Sequence, residues 1–192
     1  KRDPALESSA ACAIGDIYHE TAKFQDAIVR YEQAIEIQKA TGNKKGLALT
    51  YCNTGYLYWN IGRFDKMVEY LQKSLELSRE TGDRQTEMYT RMRFGTYYFS
   101  IGEAQRSIEY TQQALEIARH VGHKSYESRI LSGAGKIYAA IGESRRAFDY
   151  CTKAMTIIKQ VWNKDEDHTL DTIGEIYFAW GNYATAMDYF NR

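Results

Sequence analysis

The sequence predicts an all-α protein, a right-handed α-solenoid of stacked helix-turn-helix repeats. Three observations carry that expectation. Glycines recur at Gly15, Gly55, Gly95, Gly135 and Gly174, with separations of 40, 40, 40 and 39 residues. A tyrosine follows each at the third position, as Tyr18, Tyr58, Tyr98, Tyr138 and Tyr177. The composition is rich in helix formers, and the single proline, Pro4, stands near the start, where it cannot interrupt a helix. A fixed period of this length is the mark of a repeat architecture, in which each unit buries its apolar face against its neighbours.

Each unit divides into two helices. Around the marker glycine the apolar offsets are −1, +2, +3 and +6, as in Phe94, Tyr97, Tyr98 and Ile101. At about 100° per residue they gather on one side of a first helix, A. Offset +7 holds Ala22, Gly62, Gly102, Gly142 and Gly181, which end helix A as left-handed caps. A second amphipathic run, helix B, follows, such as "FDKMVEYLQKSLELSRE" (Phe64–Glu80). Small residues at +12 (Ala27, Ser107, Ala147, Ala186; Met67 in the second unit) and at +19 (Ala34, Ser74, Ala114, Ala154) admit close helix approach. The links "TGNKKG" and "TGDRQT" place Gly after helix B and a polar residue before the next helix A. In the second unit the pattern predicts helix A over about 44–60 and helix B over about 64–80. One array over 1–192 is expected, with units about 4–41, 44–81, 84–121, 124–161 and 164–192. The first ten residues align with an inter-unit link and the chain stops within its last helix B, so it reads as an excerpt of a longer solenoid.

The order Gly, Tyr, Gly/Ala, Ala, aromatic, Ala resembles the tetratricopeptide repeat (TPR), and the likeness runs along essentially the whole chain. The long period and the "TGD/TGN" links are similar to the arrays of Pins/LGN-type scaffold proteins. The pattern departs from the family at offset −4, where Ala11, Tyr51, Arg91, Leu131 and Leu170 replace the usual tryptophan. The proline that often closes helix B is absent, and the fifth unit is one residue short near "WNKDED" (Trp162–Asp167). The resemblance implies a protein-interaction scaffold rather than an enzyme.

Composition removes several other classes. The 25 basic and 25 acidic residues balance to a net charge of +0, so nothing draws the chain toward nucleic acid or an anionic membrane. No apolar stretch approaches the roughly 18 residues of a membrane span. Three cysteines without a close pair point to a reducing, cytoplasmic setting. Cys12 and Cys52 are equivalent positions in adjacent units and read as small helix-surface residues outside disulfide reach. His19, His120, His123 and His168 are dispersed and read as surface histidines; no spacing fits a metal site and no cofactor is expected. "GAGKIY" (Gly133–Tyr138) lacks the ending of a phosphate-binding loop and lies inside a helix. The run Asp165, Glu166, Asp167 reads as a solvated link.

The face of helix A opposite its packing side carries offsets −6, −2, +1 and +5, and these columns do not repeat. They supply a candidate peptide-binding groove of Asn53, Tyr56, Asn60, Tyr89, Arg93, Arg129 and Lys136. Asparagine offers a peptide backbone both a donor and an acceptor, arginine forks onto a carboxylate, and tyrosine supplies rigid contact area. The expected partner is a protein or peptide bearing acidic residues. The end units are acidic on this face (Asp16, Glu20, Glu175), which would fix peptide polarity. No acidic residue stands on the face in units three and four, so the cations there are expected to lack groove partners. Two alternatives remain: end-to-end self-association through Trp162, Phe178, Trp180 and Phe190, or a peptide-sensing regulatory domain attached to an effector elsewhere in a longer chain.

Overall fold

The computed structural model describes residues 3–161 and 166–191. Trp162 and Asp165 lie outside the described residues, as do the side chains of Glu166, Asp167 and His168. The described residues form helices and turns, with no strand among them. In chain order the helices are α1 (Pro4–Glu20), α2 (Phe24–Thr41), α3 (Lys44–Asn60), α4 (Phe64–Thr81), α5 (Arg84–Ser100), α6 (Ala104–His120), α7 (Lys124–Ala140), α8 (Ser144–Val161), α9 (Glu166–Ala179) and α10 (Tyr183–Phe190). Odd-numbered helices are the A helices and even-numbered ones the B helices. Helices α3 and α4 fall where the pattern places them.

The chain groups into two compact units, Lys1–Arg93 and Phe94–Arg192, with the division inside α5. In the first unit α1 pairs with α2 and α3 with α4, α2 packs on α3, and α1 touches α3 directly. In the second unit α7 pairs with α8 and α9 with α10, α6 and α8 pack on the A helices that follow them, and α7 touches α9. Each A helix therefore meets its own B helix and, in these pairs, the next A helix. That is the contact order of stacked helical hairpins.

The turns follow from glycine. Gly62, Gly102, Gly142 and Gly181 adopt φ of 74°, 79°, 82° and 76°, closing each A helix in the left-handed region. In the first unit Ala22 takes the same conformation at φ 55° without the steric freedom of glycine. Asn43 caps α3 by accepting from Gly46 N at 3.0 Å, and Asp83 caps α5 by accepting from Thr86 N at 3.2 Å.

The marker glycine sits at the closest crossing of A on B. A Cβ built on Gly15, Gly55, Gly95, Gly135 or Gly174 would stand 2.4–2.8 Å from the side chain at offset +16: Tyr31, Leu71, Thr111, Cys151 or Phe190. The residue at +12 is buried in all five repeats, and Ser107 Oγ donates to the Gly95 carbonyl at 2.7 Å across the crossing. The marker tyrosine fills the space beside this contact by stacking on a second tyrosine at +15. The pairs are Tyr58–Tyr70, Tyr98–Tyr110, Tyr138–Tyr150 and Tyr177–Tyr189, with centroids 5.2–5.5 Å apart and planes within 20°. Arg30 occupies that position in the first repeat. Tyr98 and Tyr138 are buried, as their core reading requires.

Two expectations need correction, at offset +6 and at Cys52. Offset +6 does not join the packing face in the later repeats: Ile101, Ile141 and Trp180 are exposed, because the chain is leaving the helix there. Offset −4, where the family tryptophan is missing, is buried in every repeat. Cys52 is fully buried rather than a helix-surface residue, since α3 is covered on several sides. All three cysteines are free, and Cys12 Sγ lies 3.0 Å from Thr50 Oγ1 instead of near Cys52.

Arg91, at offset −4, is buried with a glutamate that sequence reading passed over. Glu87 accepts from Arg91 Nη2 at 2.6 Å and from Arg84 Nη1 at 2.9 Å, and Arg79 of α4 approaches to 3.5 Å. Glu127 repeats the device, accepting from Arg119 Nε of α6 at 3.0 Å and from Lys124 Nζ at 2.7 Å. Burial raises the pKa of both carboxyls, but these cationic donors outweigh it and hold them below the usual glutamate range. Each glutamate thus ties a B helix to the next A helix.

Candidate peptide-binding face

The non-repeating columns of helix A line a concave hollow in each unit. Both are described by the residues that the i, i+3 and i+4 geometry of the A helices brings to one side.

The hollow of the first unit encloses about 480 Å³ between Asp16, His19 and Glu20 of α1, Asn53, Tyr56 and Asn60 of α3, and Arg93 of α5. The Arg93 guanidinium lies 3.9 Å from the Tyr56 ring centroid, a cation–π contact that holds it against the wall. Its Nε is buried and has no hydrogen-bond partner among the described residues. Asp16 Oδ1 accepts from Tyr31 Oη at 2.6 Å and from Asn53 Nδ2 at 3.2 Å, so one carboxylate braces α1, α2 and α3. Burial first, and then the bond to Asp16, push the Tyr31 hydroxyl well above its ordinary pKa and keep it a donor. Asn60 Nδ2 donates to His19 Nε2 at 2.7 Å, and the imidazole meets the Tyr56 ring edge-on at 5.2 Å. Burial first, and the Arg93 charge second, lower the His19 pKa.

The second unit's hollow encloses about 370 Å³. Arg129, Ser132, Gly133 and Lys136 of α7 form one wall, and Asp171, Thr172 and Glu175 of α9 the other. Beneath it Ser132 Oγ contacts Thr169 Oγ1 at 2.6 Å, joining the two helices. Arg129 also lies over the Tyr126 ring at 5.2 Å.

Of the seven residues singled out from sequence, Asn53, Tyr56, Asn60 and Arg93 meet in the first hollow and Arg129 and Lys136 in the second. Tyr89 lines neither; it is half-buried, and its hydroxyl accepts from Gln85 Nε2 of the same helix. Three lining residues were missed. His19 stands at offset +4, and Ser132 and Asp171 at −3, each one position outside the columns chosen. His19 is consequently half-buried in a polar network rather than a plain surface histidine. Acidic side chains line these hollows as well. Arg93 of α5 shares its hollow with Asp16 and Glu20 of α1, and Arg129 and Lys136 of α7 share theirs with Asp171 and Glu175 of α9, because different A helices contribute opposite charges to one concavity.

Among the described residues no three His, Cys, Asp or Glu side chains come together as a metal site, and no helix is long and apolar enough to cross a membrane. Pairs of helices stacked A upon A, with a variable concave face, define a helical-repeat protein. Family models described as Tetratricopeptide repeat match residues 46–120, 8–41 and 168–192, more than half of the sequence. The chain belongs to the tetratricopeptide-repeat family.

Solved structures share the fold. The apo form of RapI superposes with a TM-score of 0.84 at 18% identity, over 96% of this chain and 68% of RapI. A Rap protein complexed with Competence and Sporulation Factor gives 0.84 at 16% identity, over 100% of this chain and 54% of that one. BtubC (BKLC) from P. vanneervenii gives 0.71 at 16% identity, covering 100% and 90%. Among curated protein sequences none is a significant match.

Proposed function

We propose that this chain is a non-enzymatic interaction scaffold whose A-helix face binds a segment of a partner protein carrying acidic residues. The observation that carries the reading is the Arg93 guanidinium, set over Tyr56 beside Asn53 and Asn60 with a buried Nε that lacks an acceptor. A buried donor left unpaired costs about 1–3 kcal/mol, and a carboxylate oxygen from a ligand removes that cost. Arg129 and Lys136 supply cationic anchors in the second unit. Asn53, Asn60 and Arg93 also carry the likeness to Pins/LGN-type arrays, whereas offset +1 (Asp16, Tyr56, Thr96, Lys136, Glu175) departs from it. The Rap complex named above offers a fold-level precedent for a TPR array holding a factor.

The test uses peptides selected on this protein from a displayed random library. Arg93→Gln and Arg129→Gln each weaken binding of the selected peptides by about tenfold or more. The melting midpoint shifts only slightly, and binding weakens as salt rises. Equal binding by the double variant overturns the reading. Concentration-dependent sedimentation of the protein alone would instead favour self-association through the exposed Phe178, Trp180, Tyr183 and Met187.

A further inference from the structure

Gly133 is a glycine without a structural reason. It lies inside α7 and does not take a positive φ. A Cβ added to it meets nothing within 4 Å, whereas a Cβ on Gly135, two residues on, would stand 2.4 Å from Cys151 Sγ. The other helix-interior glycines are all crowded in the same way. A mid-helix glycine weakens a helix, and without a packing or φ requirement it remains useful where something approaches the backbone closely. Gly133 lies in the α7 wall of the second unit's hollow.

The walls of that hollow say what approaches. Arg129 and Lys136 stand on α7, and Asp171 and Glu175, four residues apart and so on one face, stand on α9. A segment with acidic charge alone would bring its carboxylates against Asp171 and Glu175. A segment with basic charge alone would meet Arg129 and Lys136. We propose that this hollow binds a dipolar peptide element, an acidic and a basic side chain close together, with its backbone seated on Gly133. The acid faces α7 and the base faces α9. The inference rests on the peptide-binding reading above and adds to it a second, charge-paired subsite.

The experiment pans the displayed random-peptide library on the wild-type chain and measures the enriched peptides against Arg93→Gln and four variants of this hollow. Gly133→Ala should melt about 2 °C higher, since it removes helix-weakening freedom and meets no clash. Gly133→Leu should fold and weaken the enriched peptides by about tenfold or more. Asp171→Asn combined with Glu175→Gln should abolish the preference for a basic residue, and Lys136→Gln the preference for an acidic one. Enriched peptides carrying one charge sign only, a lower melting point for Gly133→Ala, or undiminished binding to Gly133→Leu overturns the proposal. Peptides that ignore Gly133→Leu but are lost on Arg93→Gln leave the peptide-binding reading standing and remove this subsite alone. No enrichment on the wild type, or indifference to both sets of variants, removes both.

Discussion

Ala22 occupies a backbone position that the later A-helix turns give to glycine, at φ 55°. An L side chain in this region costs roughly 1–2 kcal/mol. Ala22→Gly should therefore stabilise the chain by about 1 kcal/mol, read as a higher urea midpoint; an unchanged or lower midpoint would show that the strain is absent. Gly135 is the opposite case. Its added Cβ would stand 2.4 Å from Cys151 Sγ and 3.3 Å from the Ala147 carbonyl, and neither helix can withdraw freely. Gly135→Ala should lose about 1–3 kcal/mol by overpacking. Retained stability there would mean that the A–B crossing is looser than described. Both residues stand out in the sequence by column, but only the backbone angle and the built contact separate a costly alanine from a necessary glycine.

At the scale of the helix pair, Tyr98 lies between Tyr110, stacked at 5.4 Å, and the Arg106 guanidinium, 3.9 Å from its ring centroid. Tyr98→Ala should cost about 3–5 kcal/mol in denaturant unfolding, and a loss under about 1 kcal/mol would contradict the packing. The links from B helix to A helix make a pH prediction. The carboxyls of Glu87 and Glu127 titrate lower in the folded chain than the ordinary value of 4.5. Their contribution is thus fully present above that value and is lost as pH falls through their folded-state pKa. Acid unfolding should show this loss, and Glu87→Gln, though less stable at neutral pH, should depend less on acid; an unaltered acid limb would refute the linkage. The helices, their caps and the marker columns were legible because each obeys a local period. The tyrosines at +15, the partners at +16 and the buried Glu87–Arg91 pair were not. Their role depends on which helix lies opposite, and single-helix periodicity does not encode that.

For the whole molecule, the zero net charge conceals a local arrangement: each hollow gathers both signs from different A helices. Most of the candidate face was legible as a surface, since six of the seven chosen residues line a hollow. Reading one helix at a time hid the rest. Asp171 and His19 enter from a neighbouring helix at offsets just outside the chosen columns, and Gly133 looks ordinary until its surroundings are seen. The central claim is that ligand lies on the A-helix face, in the hollows of Arg93 and of Gly133, and not on the B helices. Amide chemical-shift mapping of the chain with a library-selected peptide tests this most directly. The account predicts saturable shifts concentrated in α1, α3 and α5 around Asn53, Tyr56 and Arg93, and in α7 and α9 around Gly133 and Glu175, with α2, α4, α6 and α8 nearly silent. Shifts concentrated on the B helices, or on the exposed aromatics of α9 and α10 alone, would contradict it.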